Sequence, residues 1–116
     1  MRKLNKGRKL SMKKGPRVIL LKNLANNFFT YEKIKTTEAK AKTLRPIVEK
    51  MITRAKVDTI TNRRLLARDL REETISKLFK ELAPKYKERN GGYSRITRLG
   101  PRISDGSKMV IIELIK

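Results

Sequence analysis

The sequence predicts an α/β chain of the α+β kind, with about four helices packed on a small three-stranded sheet and a basic extended arm in front. Three observations predict it. Apolar residues recur at helical spacing from Val18 to Leu82. After the breaker Asn90-Gly91-Gly92 the texture turns β-prone, with two strand-like runs separated by turn residues. Finally, residues 1–31 carry nine cations (Arg2, Lys3, Lys6, Arg8, Lys9, Lys13, Lys14, Arg17 and Lys22) and no Asp or Glu. The first half of that stretch has too few apolar groups to build a core, and two glycines and a proline make it poor helix material. Residues 1–15 therefore read as an arm and 16–116 as one globular domain.

Each helix has its own signals. Pro16 suits a first helical turn, where its missing N–H does no harm. From Arg17 to about Thr30, Val18, Leu21, Leu24, Ala25 and Phe28 form an apolar stripe, with Lys22, Asn23, Asn26, Asn27 and Thr30 opposite. Those asparagines read either as a solvated face or as amide contacts to phosphate and sugar. Residues 33–36 are short and β-compatible, and Thr36 or Thr37 caps the next helix with Glu38 in its first turn. From Glu38 to about Lys56 runs the clearest stripe: Ala41, Leu44, Ile47, Val48, Met51, Ile52 and Ala55. Pro46 projects away from it, which predicts a bend and not a break. Val57-Asp58-Thr59 is a linker and cap before a third helix at about Ile60–Leu70, with Leu65, Leu66 and Leu70 inward and an arginine edge. Ile75, Leu78, Phe79 and Leu82 mark a fourth helix that should stop before Pro84.

Tyr93–Leu99 and Met109–Ile115 then pair as an antiparallel hairpin turned by Gly100-Pro101 and Asp105-Gly106. The last run is almost continuously apolar, which predicts a central strand covered on both faces, with residues 33–36 on its free side.

Composition bounds the chemistry. Among 116 residues, 31 are Lys or Arg and 11 Asp or Glu, for a net charge of +20 and a pI near 10.8. Such self-repulsion is best tolerated when a polyanion neutralises it. Cys and His are absent, so disulfides, Cys/His zinc sites, thiol nucleophiles and imidazole acid–base catalysis are excluded. No apolar run approaches the roughly 20 residues of a membrane span. An organellar transit peptide would share the acid-free basic start, but this one is Lys-heavy, holds one serine and is not amphipathic before Arg17.

Rival functions have candidate residues. Asp69, Glu72 and Glu73 could converge as in a two-metal nuclease, but Arg68 and Arg71 interleave with them, which favours a salt-bridged surface. Gly91-Gly92 lacks the Lys-Ser/Thr ending of a phosphate loop and precedes a strand. Asn62, Arg63 and Arg64 could form a DNA recognition helix. Residues 16–31 could lie on an anionic membrane if their apolar face were exposed. Phe28 and Phe79 belong to apolar stripes, leaving Tyr31 and Tyr93 to stack on bases. The positive charge is dispersed over the arm, the helices and the hairpin. A partner that surrounds the protein fits this best, and folded RNA is read mainly by shape, phosphate and 2′-hydroxyl.

The motifs resemble a known family. Ile34-x-Thr36-Thr37-x-x-Lys40-Ala41-Lys42, followed after six residues by Glu49-x-Met51-Ile52-Thr53-x-Ala55-Lys56, is similar to the signature of the bacterial large-subunit ribosomal protein seventeen family. Arg2, Gly7-Arg8-x-Leu10 and Arg17 resemble its opening, Asn23-x-Ala25 its first helix and Asn62-Arg63-Arg64 its third. Gly91-Gly92-Tyr93-x-Arg95-Ile96 resembles its hairpin start, so the likeness covers nearly the whole chain. The family commonly has histidines where Lys3 and Pro16 stand, and its helix proline falls a few residues after Pro46. The resemblance implies a small mixed sheet with helices packed on it. It also implies a place in the large subunit on the peptide-exit side, bound to large-subunit ribosomal RNA and near other ribosomal proteins.

The expected role is thus structural, with no catalysis, cofactor, metal, membrane or small-molecule substrate, on a cytoplasmic ribosome or, as an open alternative, an organellar one. The expected RNA ligands are the eight arm cations through Arg17, with Lys22 and Asn23 on the first helix. Thr36 and Thr37 stand at a helix N-terminus where free N–H groups can take a phosphate, flanked by Lys35, Lys40 and Lys42. Arg63, Arg64, Tyr93, Arg95 and Arg98 extend the contact.

Overall fold

The computed structural model describes residues 14–115. Helix α1 (Lys14–Tyr31) leads into strand β1 (Lys33–Thr37) and helix α2 (Glu38–Ala55). Helix α3 (Ile60–Ala67) and a composite fourth helix follow, the latter made of α4 (Glu72–Lys77), a π-helical turn (Leu78–Leu82) and α5 (Ala83–Lys85). Strands β2 (Ser94–Pro101) and β3 (Lys108–Leu114) close the fold.

The sheet order is β1-β3-β2, and both pairings are antiparallel. The expected mixed sheet is therefore corrected. The helices return the chain so that β1 and β2 run in the same direction, but β3 lies between them and opposes both. β3 is central, as its apolar run predicts, but it is not covered on both faces. Val110, Ile112 and Leu114 are buried, whereas Met109, Ile111 and Glu113 are half-buried. Alternate residues thus face a packed side and an open side.

The packed side meets α2. Ala41, Leu44, Val48, Met51, Ile52 and Ala55 are all buried, as their spacing predicts, with Ile47 packed at the margin. Pro46 is exposed and α2 continues through it. Thr37 caps α2, its hydroxyl accepting from the Lys40 N–H at 3.4 Å. Phe28 and Phe29 of α1, Leu66 of α3 and Leu78 of the fourth helix complete the core. Full burial of each such side chain contributes about 1.5–3 kcal/mol.

Three helical expectations change. The fourth helix does not stop before Pro84. The Ala83 N–H reaches back to the Leu78 carbonyl, five residues away, in the π turn. Proline in a regular helix clashes with the carbonyl four residues earlier, and the wider turn relieves that register just before Pro84. The second change is at α1, which begins at Lys14, so Lys14 and Gly15 are helical and not arm. Its first half also projects beyond the core, leaving Val18 and Ile19 exposed. The third change is Asn26, expected opposite the apolar stripe but only 4% exposed. Its amide donates to the carbonyls of Lys22 (2.9 Å) and Asp69 (3.2 Å), and its oxygen accepts from the Arg71 N–H at 2.8 Å. Asn26 thus satisfies the backbone of the α3–α4 connection, a requirement for burying those groups.

Candidate nucleic-acid interface

The residues expected to bind RNA fall into three groups. Arg2, Lys3, Lys6, Arg8, Lys9 and Lys13 lie outside the described residues. A second group is taken up by the fold itself. The third is exposed, and it clusters.

The taken-up group includes Tyr93, which is 1% exposed. Its hydroxyl lies 3.3 Å from the Thr53 hydroxyl, accepts from the Lys56 ammonium at 3.1 Å and donates to the Arg89 carbonyl at 3.2 Å. Burial works against ionising this phenol, but the hydrogen bonds from Thr53 and Lys56 outweigh it and bring its pKa below the ordinary value. A buried ring cannot stack on a base, so that expectation is corrected. Tyr31, at 70% exposure, is the stacking candidate that stays open. Glu49 completes the same junction, accepting from the Ser94 hydroxyl at 2.7 Å and the Gly92 N–H at 3.3 Å. Gly91 and Gly92 have φ of 98° and 62°, a left-handed path that side chains disfavour. Glu49 and Thr53 of α2, with Lys56 at its C-terminal cap, therefore clasp residues 92–94. The second half of one motif thus meets the start of the other, which accounts for these residues within the fold.

Arg63 is also taken up. It makes two hydrogen bonds to Asp58, at 2.6 and 2.9 Å, and its guanidinium stacks 4.3 Å from the centre of the Phe79 ring. The hydrogen bond lowers the Asp58 pKa and raises that of Arg63. Asn62 donates its side-chain amide to the Val57 carbonyl at 2.8 Å. Asn62 and Arg63 are thus engaged within the fold, and Arg64 is exposed. At the start of α2, Thr36 is buried and the Thr37 hydroxyl is spent on the cap. Beside them the Glu38 pKa is lowered, first by its hydrogen bond from Lys42. That carboxylate is held by Lys42 and offsets part of the positive charge around the start of α2.

The exposed group forms two adjoining surfaces. On the open face of the sheet, register aligns Lys33, Glu113 and Arg95 in one row and Lys35, Ile111 and Thr97 in the next. Lys33, Lys35, Arg95 and Thr97 are exposed. Arg95 holds Glu113 at 2.8 Å, which leaves the row with one cation in excess. Around the sheet edge, Glu38, Lys42, Arg45, Ile96 and Arg98 line a cleft of about 400 Å³. Lys42 and Arg98 reach Glu38 at 2.9 and 3.3 Å, so two cations share one carboxylate. Lys40 is half-buried nearby. On α1, Lys14 and Asn23 are exposed and Arg17 is half-buried, while Lys22 lies 3.8 Å from Asp69.

The rival chemistries find no support among the described residues. No group of three or more carboxylates is placed to hold a metal, so Asp69, Glu72 and Glu73 do not converge. No helix is long and apolar enough to cross a membrane. In its second half the apolar face of α1 is docked through Ala25, Phe28 and Phe29, so residues 16–31 do not offer the continuous exposed face that surface binding requires.

Residues 20–115 match the family model described as Ribosomal protein L17. The chain belongs to the ribosomal protein L17 family. Among its curated relatives is the large ribosomal subunit protein bL17 of Caldanaerobacter subterraneus subsp. tengcongensis, 50% identical over 109 residues, or 93% of this chain and 97% of the relative. The proteins of the same name from Thermoanaerobacter sp. and Thermoanaerobacter pseudethanolicus are each 51% identical over the same shares. Membership in the L17 family agrees with the resemblance carried by the sequence motifs.

Within this L17-family chain, sequence reasoning missed Lys33 and Arg45. Lys33 was legible, because Lys33-Ile34-Lys35 alternates and places both lysines on one strand face. Arg45 joins the cleft only because β2 folds back beside α2. It also pairs with Glu49 at 3.2 Å, linking the cleft to the clasp.

Proposed function

We propose that the chain is a structural constituent of the large ribosomal subunit that binds large-subunit ribosomal RNA and catalyses nothing. The observation that carries the reading is the open sheet face with its adjoining cleft, where Lys33, Lys35, Lys42, Arg95 and Arg98 stay exposed on a chain of the L17 family. Phosphate contacts there fix position and shape selects the RNA, with no base readout required. The arm from Arg2 to Lys13 adds closely spaced cations that thread between RNA helices. In this reading the chain sits on the peptide-exit side beside other ribosomal proteins, on a cytoplasmic or an organellar ribosome, and the family resemblance supports the exit-side position.

Two measurements test this. The chain should co-sediment with large subunits through a high-salt wash. Deleting residues 1–13 should flatten the salt dependence of RNA binding by roughly 0.7–0.9 in log–log slope per lost contact. Release into the wash would reject the ribosomal assignment, and an unchanged slope would reject the arm as a phosphate ligand.

A further inference from the structure

We infer that the β2–β3 hairpin tip is a protein-docking knob that seats Ile103 in an apolar pocket of a neighbouring protein, and not on RNA. The inference rests on the ribosomal reading above, since it needs a protein neighbour. The tip is built to be rigid. The Arg102 guanidinium grips Asp105 through two hydrogen bonds, at 2.9 and 2.6 Å, and Asp105 also accepts from the Ser107 N–H at 3.1 Å. Backbone hydrogen bonds join Arg102 to Ser107 at 2.7 Å and Gly106 to Arg102 at 2.8 Å. Gly100 and Gly106 supply the two positive φ angles the path needs, 96° and 73°.

That framework displays apolar groups. Ile103 is fully exposed and Leu99 about half so. With Pro101, Met109 and Lys35 they border a groove of about 470 Å³ on the open side of the sheet. One exposed aliphatic residue is unremarkable, but a contiguous set on a pre-ordered loop marks an interaction surface.

Charge identifies the partner. The chain carries +20, yet residues 99–107 hold one Arg and one Asp, bonded to each other, for a net of zero. RNA contact calls for cations free to meet phosphate, and here the loop's cation is neutralised from within. A neutral apolar knob complements a neutral apolar pocket, as at the desolvated centre of protein interfaces.

The test uses the full chain assembled into large subunits lacking their own copy. A benzophenone side chain in place of Ile103 should crosslink to one ribosomal protein. Ile103→Asp should cut retention in washed subunits by roughly tenfold, in line with one buried aliphatic anchor, while Ile103→Leu restores it. Binding of Ile103→Asp to free ribosomal RNA, and its melting temperature, should match the wild type. Crosslinking to RNA or to nothing, or full retention of Ile103→Asp, would overturn the inference while leaving the ribosomal reading intact. Failure of the wild-type chain to assemble would overturn both.

Discussion

The two faces of the sheet are made by the same three strands, and they do opposite work. On one face Ile34, Ile96, Val110 and Ile112 meet the helices. On the other Lys33, Lys35, Arg95 and Thr97 stay exposed. Strand periodicity separates them one residue at a time. Stability and binding are therefore written into adjacent positions, and substitutions at neighbours should be separable by what they change.

The largest effect should come from the packed face. Ile112→Ala should destabilise by about 2–5 kcal/mol, the range for truncating a buried aliphatic side chain, whereas half-buried Ile111→Ala should lose distinctly less. Denaturant unfolding would show it, and equal losses would mean the second face is covered after all. Next in size is Asn26→Ala, which strands the Arg71 N–H and should cost about 1–3 kcal/mol by the same measurement. A loss under 0.5 kcal/mol would mean the α3–α4 connection does not depend on that amide. The open face should behave in reverse. Combined Lys33→Ala, Lys35→Ala and Arg95→Ala should leave stability within about 1 kcal/mol, because the side chains are exposed and the Arg95–Glu113 pair lies at the surface. The same variant should lower the salt slope of RNA binding by roughly 0.7–0.9 per lost contact. An unchanged slope would move the interface off the sheet.

The smallest effect concerns acid. Hydrogen bonds from Arg102 and then the Ser107 N–H hold the Asp105 pKa well below the usual carboxylate range. A depressed carboxylate contributes its stability above the unfolded pKa and loses it as pH falls through the folded one. The tip should therefore keep its geometry at pH 4, with carboxyl NMR shifts of Asp105 still those of the ionised form. Titration at the ordinary value would show that the pairing is absent in solution.

Local pattern made much of this legible. The α2 stripe, the Thr37 and Thr59 caps and the pairing of the hairpin follow from patterns over a few residues, but Gly100 and Pro101, expected in its turn, pair with Met109 and Lys108 past a bulge. What escaped depends on partners distant in sequence. Asn26 looked like a surface amide because Asp69 and Arg71, 43 and 45 residues on, reach it only after α3 folds back. Tyr93 looked like a stacking platform because Thr53 and Lys56 lie 40 and 37 residues before it. Arg63 looked free although Asp58 is five residues away, because the stacking on Phe79 that fixes it is tertiary. The π turn at Leu78–Leu82 has no propensity signature, and only Pro84 hinted at a register change.

The central position of β3 has a consequence for how the molecule comes into being. Both edge strands pair with β3 and not with each other, and β3 is the last strand to be synthesised. As the chain emerges, α1 and α2 can form from local contacts, but β1 and β2 have no ladder to join until β3 follows them. Closing the sheet joins residues about 75 positions apart, as between Lys35 and Ile111, the slow kind of contact in folding. Emergence of β3 is thus the step that lets the sheet close. Until then, the Ile34 and Ile96 side chains that the finished sheet hides stand exposed on a nascent chain, the species for which aggregation competes with folding.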